Sequence, residues 1–329
     1  MATITRAEAA ALHHESIIVD THADTLEKVL EGQRHLSERS DQGQFDLPRA
    51  LDGGVAAEFM AIYLHDPKAG GIRQAIRFVD ALYQEIAISP EMAIQATCAD
   101  DILLAKSQSK VALVLSMEGA EGLEGDIRAL RIFHRLGLRS LGLTWNWRNE
   151  AADGVFEIRT GGGLTRFGVE LVKECNRLGI LVDMAHLAPA GVQQVLEVSE
   201  SPVVVTHANC YALWPHNRNL TDSQLEAIAS KGGVVGATAV PAFLGEDELR
   251  CPLERLLDHI DHMVEVMGED AVGIGLDLDG VGDNRVEGLE DASKMFNLTA
   301  GLAERGYSAQ TIRKILGENF LRVFRQVVG

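Results

Sequence analysis

The sequence predicts an α/β fold, a (β/α)8 TIM barrel, and three observations carry that prediction. Eight short apolar runs recur along the 329 residues, helix-like segments alternate with them, and no Pro/Ser-rich linker or low-complexity stretch divides the chain. Eight strands with intervening helices indicate a closed barrel more than an open doubly wound sheet, which stays as the fold alternative. Residues 1–329 read as one barrel domain, since such barrels routinely exceed 200 residues.

The runs are SIIVD (16–20), AAEFMAIYL (56–64), KVALVLSM (110–117), SLGLTW (140–145), GILVDMA (179–185), PVVVTH (202–207), GVVGATAV (233–240) and AVGIGL (271–276). Their near-continuous Val/Ile/Leu character, rather than strict alternation, suits parallel strands covered on both faces. Helix-like segments fall at 125–137, 164–179, 188–200, 221–233 and 252–268. Thr221 or Asp222 is placed to cap the fourth of these, and glycines close most of them.

Composition bounds the function. Hydrophobic residues at 46% and charged residues at 24% are enough for a large core and too apolar for disorder. A net charge of -18 excludes nucleic acid and anionic membrane as partners, because either needs clustered Lys and Arg. Part of that charge fits carboxylates gathered around cations. Cys98, Cys175, Cys210 and Cys251 lie far apart without a CxxC pair, so neither a disulfide framework nor a thiolate zinc site is indicated. The start MATITRAEAAALHHES lacks a signal-peptide pattern and no run reaches a membrane span, so the expectation is a soluble cytoplasmic protein.

His, Asp and Glu gather at the ends of these runs. His22 and Asp24 follow the first, Glu118 the third, His186 the fifth, His207 closes the sixth and Asp277 follows the eighth. In a β/α barrel those ends converge on one face, where active sites are built. His22 and Asp24, two apart on an extended chain, point the same way and suit one ion. Singly, each residue has a plain structural explanation: a core histidine, a helix cap at Asp24, a loop carboxylate at Glu118, a turn at Asp277. His186 and His207 interrupt apolar strands and need buried partners, and the joint placement points to metal. Imidazole and carboxylate without thiolate suit Zn, Mn, Fe, Co or Ni, with zinc first. Six ligands at an open mouth imply two ions bridged by a carboxylate, for which Glu118 is best placed; no lysine ends a strand to supply a carbamate instead.

The chain resembles the renal (membrane) dipeptidase family, peptidase family M19, of the amidohydrolase superfamily. DTHADT (20–25), MEGAEGL (117–123), VDMAHL (182–187), VVVTHAN (203–209), HNRNLTD (216–222), GIGLDLDGV (273–281) and EGLEDASK (287–294) carry that resemblance in order. It implies one zinc on His22, Asp24 and Glu118, a second on Glu118, His186 and His207, Asp277 as acid/base and Arg218 as the holder of a substrate's terminal carboxylate. The implied activity is dipeptide hydrolysis by a metal-bridged hydroxide, with D-residues tolerated at the C-terminal position. A homodimer is also implied.

Two departures bear on substrate. LTWNWRNE carries Trp145 where the family has a substrate-contacting histidine, with Asn146 beside it, and GATAVPAFL (236–244) carries no tyrosine. Asn146 is a replacement hydrogen-bond donor to substrate, or Trp145 reshapes the pocket. Alternatives are hydrolysis of another small amide, lactam or N-acyl amino acid, or a silent metal-binding barrel, against which a retained Asp277 argues. His13 and His14 read as an exposed surface pair, Trp147 and Trp214 as pocket-mouth or core residues, and Asp279 as part of the turn after the last strand.

Overall fold

The computed structural model describes residues 4–64, 70–245 and 249–329, so the first three residues of the N-terminal stretch lie outside it. The eight apolar runs all form strands: β1 (Ile18–Ala23), β2 (Val55–Tyr63), β3 (Val111–Glu118), β4 (Leu138–Gly142), β5 (Leu181–Asp183), β6 (Val204–Ala208), β7 (Val234–Ala237) and β8 (Val272–Ile274). Each pairs in parallel with its neighbours in chain order, and β8 returns to β1, so the sheet closes. Burial follows the composition: every residue of β1, β3, β5, β6, β7 and β8 is buried, as strands walled by helices outside and side chains inside must be.

The five helix-like segments are helices at Ile127–Arg135, Arg166–Leu178, Pro189–Val198, Asp222–Ser230 and Leu253–Met267. Thr221 is the cap of the fourth, its hydroxyl accepting from Gln224 N–H in a capping box. Thr165 caps the second, its hydroxyl accepting from Gly168 N–H, and Gly179 ends it at φ 71°, where a side chain would be strained.

Two small additions escape the strand pattern. Ala93–Gln95 pairs with the start of β3, below the level at which β4 joins at Leu115, and Arg250–Pro252 pairs with Arg285–Glu287 as a separate ribbon. Three-residue strands are too short for periodicity to reveal. The C-terminal helix Asn319–Val327 packs against β7 and β8, with Phe320 and Phe324 buried in a cluster that includes Val19 and Phe59.

The N-terminal histidine pair divides. His14 is exposed as expected, but His13 is buried, its ring nitrogens bonded to Thr299 Oγ1 (2.7 Å) and Gly53 O (3.0 Å). The helix Arg6–Glu15 lies against Met295–Glu304, which turns His13 inward.

Candidate active site and metal centre

All the polar strand ends named above meet at the C-terminal mouth of the barrel. Glu118 ends β3 at its centre: Oε1 stands 2.8 Å from His186 Nε2 and 3.6 Å from both His207 Nε2 and His22 Nε2. His22 Nε2 is also 3.5 Å from Asp24 Oδ2 and 4.0 Å from Asp277 Oδ1. One carboxylate therefore stands between two groups, His22 with Asp24 on one side and His186 with His207 on the other.

Asp24 sits at the N-cap of the helix Thr25–Leu30, yet its side chain makes no cap hydrogen bond. Its Oδ1 and His22 Nε2 are buried without hydrogen-bond partners. Buried polar atoms are otherwise nearly always paired, so these two await something absent from the polypeptide. A Cβ at Gly280 would collide with the carboxylates of Asp277 and Asp24, so only glycine lets the β8 loop pass so close to them.

The far sides of the histidines decide what that is. His186 Nδ1 lies 2.7 Å from Asn146 Oδ1, an acceptor, so this nitrogen carries the proton. Thr206 gives its hydroxyl proton to Asp183 Oδ2 at 2.6 Å, so its oxygen accepts from His207 Nδ1 at 2.9 Å. Burial, then the positive charges of Arg218 and His22, push both imidazoles well below their usual pKa, which keeps them neutral. Both Nε2 atoms consequently present lone pairs, 2.9 Å apart and facing Glu118 Oε1. Three lone pairs aimed at one point without a proton among them make a candidate cation site, with Asn146, Thr206 and Asp183 holding the donor groups in orientation.

The first ligand group makes the same demand. Burial opposes a charge on His22, but Glu118 and Asp24 overcome it and lift the imidazole to about 10. Burial raises Glu118 well above the carboxylate range, with His22 opposing and Asp24 adding to the rise. Burial likewise takes Asp277 to about 6. Positive charge is what these groups lack, and oxygen and imidazole donors fit a divalent transition metal. His186 and Asp277 both adopt left-handed backbone, at φ 65° and 64°, a conformation uncommon outside glycine and concentrated at functional sites.

Arg218 is buried beside this cluster. Its Nη2 donates to His207 O at 3.2 Å, its Nε has no partner, and its guanidinium lies 5.3 Å over the ring of Phe243. Burial lowers it to about 10, against the pull of Asp277, Glu118 and Asp183. The loop from 236 to 244 thus supplies a phenyl ring under the arginine. Trp145 stands on the other flank, its ring centroid 5.9 Å from that of His186 and 5.3 Å from that of Tyr63. Trp147 is exposed and Trp214 Nε1 donates to Ala242 O at 3.0 Å.

Sequence reasoning missed the orienting pair Thr206 and Asp183, although Asp183 inside an apolar strand was a signal. It also missed Tyr63, the last residue of β2. Asp279 is more than a turn residue: it accepts from Gln44 N, Thr25 Oγ1 and Arg34, tying the segment after β1 to the neighbouring loop after β8.

A closed β/α barrel with this mouth defines a metal-dependent hydrolase. The membrane dipeptidase (peptidase family M19) model matches residues 6–328, and the chain belongs to that family, which places it among metal-dependent dipeptidases. It is 32% identical over 296 residues to Dipeptidase tcpJ of Claviceps purpurea, covering 87% of this chain and 69% of that protein. To Dipeptidase 3 of Mus musculus it is 32% identical over 334 residues, covering 98% and 66%. Among solved structures it superposes with a TM-score of 0.89, at 32% identity and covering 95% of this chain and 100% of that one, on a metallopeptidase of Rhodobacter sphaeroides liganded with a phosphinate mimic of the dipeptide L-Ala-D-Ala. The dipeptidase AC of family M19 gives a TM-score of 0.90 at 33% identity, covering 96% and 100%. Among the described residues no helix is long and apolar enough to cross a membrane.

Proposed function

We propose that this protein hydrolyses small dipeptides bearing a free C-terminal carboxylate, on a pair of divalent ions, zinc first. His22, Asp24 and Glu118 would hold one ion and Glu118, His186 and His207 the other, with Glu118 shared. The observation that carries this reading is the convergence of His186 Nε2 and His207 Nε2 on Glu118 Oε1, each histidine proton being committed to a partner on its far side. When bound, the ions supply a water acidic enough to lose its proton near neutral pH and polarise the scissile carbonyl.

The remaining work falls to the chain. Arg218, buried with a free Nε, offers a planar donor face to a carboxylate, and Phe243 beneath keeps that face in place. A terminal carboxylate held there selects short substrates, since a longer peptide has no charge at that position. Asp277, 4.0 Å from His22 Nε2, is the carboxylate beyond the shared ligand set and takes the proton released on attack. It returns that proton to the departing amine nitrogen, which leaves poorly without it. Asn146 holds the His186 ring through its amide oxygen, which leaves its NH2 group to donate toward substrate. The cytoplasm fits four cysteines that form no disulfide.

The test is hydrolysis of a panel of L,L and L,D dipeptides, their C-terminal amides and N-acyl amino acids by zinc-loaded wild type and Asp277→Asn. Free dipeptides should be cleaved, the amides far more slowly, and the variant should lose about 10²–10⁴-fold in kcat with its metal retained. Amides cleaved as fast as acids would remove Arg218 from its role, and an unimpaired variant would remove Asp277.

A further inference from the structure

We propose that Tyr63, Trp145, Phe156 and Trp147 form the specificity rim for the acyl half of the substrate and select a bulky apolar or aromatic side chain there. This rests on the dipeptidase reading above. The four rings form one run: Tyr63 to Trp145 at 5.3 Å, Trp145 to Phe156 at 6.4 Å and Phe156 to Trp147 at 4.8 Å between centroids. Its inner end touches the metal centre through Trp145 and His186. Its outer end is left uncovered, Trp147 being 56% and Phe156 51% exposed. Large aromatic faces open to water beside a catalytic centre are surface that a ligand can bury.

The position of the rim assigns it to one half of the substrate. Going round the barrel, Arg218 and Phe243 follow β6 and β7, whereas Tyr63 ends β2 and Trp145 follows β4, on either side of Glu118 at the end of β3. With the terminal carboxylate on Arg218 and the scissile carbonyl at the shared ligand Glu118, the acyl half runs away from Arg218 and reaches the β2 and β4 side. The side chain next to the cleaved carbonyl then lies against Trp145, with Phe156 and Trp147 further out.

The loop that carries the rim is fixed rather than loose. Asn149 Oδ1 accepts from Ala151 N and Ala152 N, and its Nδ2 donates to Leu143 O at 2.8 Å. Phe156 N donates to Asn146 O and Val155 N to the backbone oxygen of His186, both at 2.9 Å. The wall is therefore built onto a metal ligand before substrate arrives, and little ordering cost is left to binding.

The experiment compares kcat/KM for Phe-Gly and Ala-Gly, and for N-benzoyl and N-acetyl amino acids, in zinc-loaded wild type, Trp145→Ala and Trp147→Ala. Wild type should favour the aromatic member of each pair by about 10–100-fold, the range that pocket contacts supply. Trp145→Ala should cut that ratio at least about tenfold. Trp147→Ala, altering a mostly exposed ring with no fold to endanger, should cut it less and through KM. Equal kcat/KM for both members in wild type, or variants that lower both members alike, would overturn the rim proposal and leave the dipeptidase reading standing. No turnover of any of the four substrates would overturn both.

Discussion

Two regions at the same end of the barrel handle buried carboxylates in opposite ways. Asp279 and Asp24 are both buried residues, at 9% and 8% exposed. Asp279 is saturated: Oδ1 accepts from Gln44 N at 2.6 Å, Oδ2 from Thr25 Oγ1 at 2.5 Å and from Arg34, and its own N–H donates to Gln44 Oε1. Nearby, Asp46 accepts from Arg49 N at 2.8 Å, Arg49 Nε at 2.7 Å and Ser40 N at 3.0 Å. Asp24, two residues past His22, leaves Oδ1 without a partner, and its Oδ2 stands 3.5 Å from an imidazole that three carboxylates share. Both residues are buried, and unmet hydrogen-bonding capacity separates them. Asp279, satisfied by the chain, holds a loop, whereas Asp24 keeps an unpartnered oxygen beside the shared imidazole.

The largest expected effect comes from the centre of the unsatisfied region. Glu118→Gln replaces a shared anion with a neutral amide between three histidines. Metal analysis should find the bound ions reduced, and kcat/KM should fall by about 10³-fold or more. A variant that keeps its full metal complement would make Glu118 a bystander and erase the contrast with Asp279.

Asp279→Asn probes the satisfied region and should behave in reverse. Removing the charge that Arg34 faces, while leaving an amide that can accept only on one side, should cost about 1–3 kcal/mol of stability. Denaturant unfolding reads that loss. Metal content should be unchanged, and loss of metal without loss of stability would place Asp279 on the wrong side of the comparison.

A smaller effect lies away from the mouth. Burial holds His259 down to about 4, below its ordinary 6.5, with Cys210 N–H donating to Nδ1 at 3.0 Å. The folded chain keeps this imidazole neutral while the unfolded chain protonates below 6.5, so the stability it contributes is full above 6.5 and drains as pH falls toward 4. The full span is on the order of 3 kcal/mol. Urea titrations at about pH 7.5 and about pH 5 should show the loss in wild type and a smaller one in His259→Asn, whose amide oxygen replaces Nδ1 without titrating. Equal losses would assign the acid sensitivity elsewhere, with buried His13 next in line.

Much of this architecture was legible in the residues because its signals are local. Apolar runs such as KVALVLSM mark strands, and a histidine or carboxylate at the end of one, such as Glu118 or His207, stands out against what precedes it. What stayed hidden depends on pairs distant in sequence. Asp279 meets Gln44 and Thr25 across more than 200 residues, and Asn146 reaches His186 across 40. The burial of His13 cannot be read from its own helix, because the groups that bond it, Thr299 and Gly53, lie on other elements. Trp145 was noticed as a departure from a familiar pattern, but only the positions of Tyr63, Phe156 and Trp147 turn it into a wall.

Polar atoms left unpartnered at the mouth should prove to be metal ligands, and metal stoichiometry decides it. Protein stripped with a chelator, re-equilibrated with zinc and desalted should carry about two ions per chain, and His186→Ala should carry about one. No retained zinc in wild type, under conditions where the fold is intact, would contradict the account.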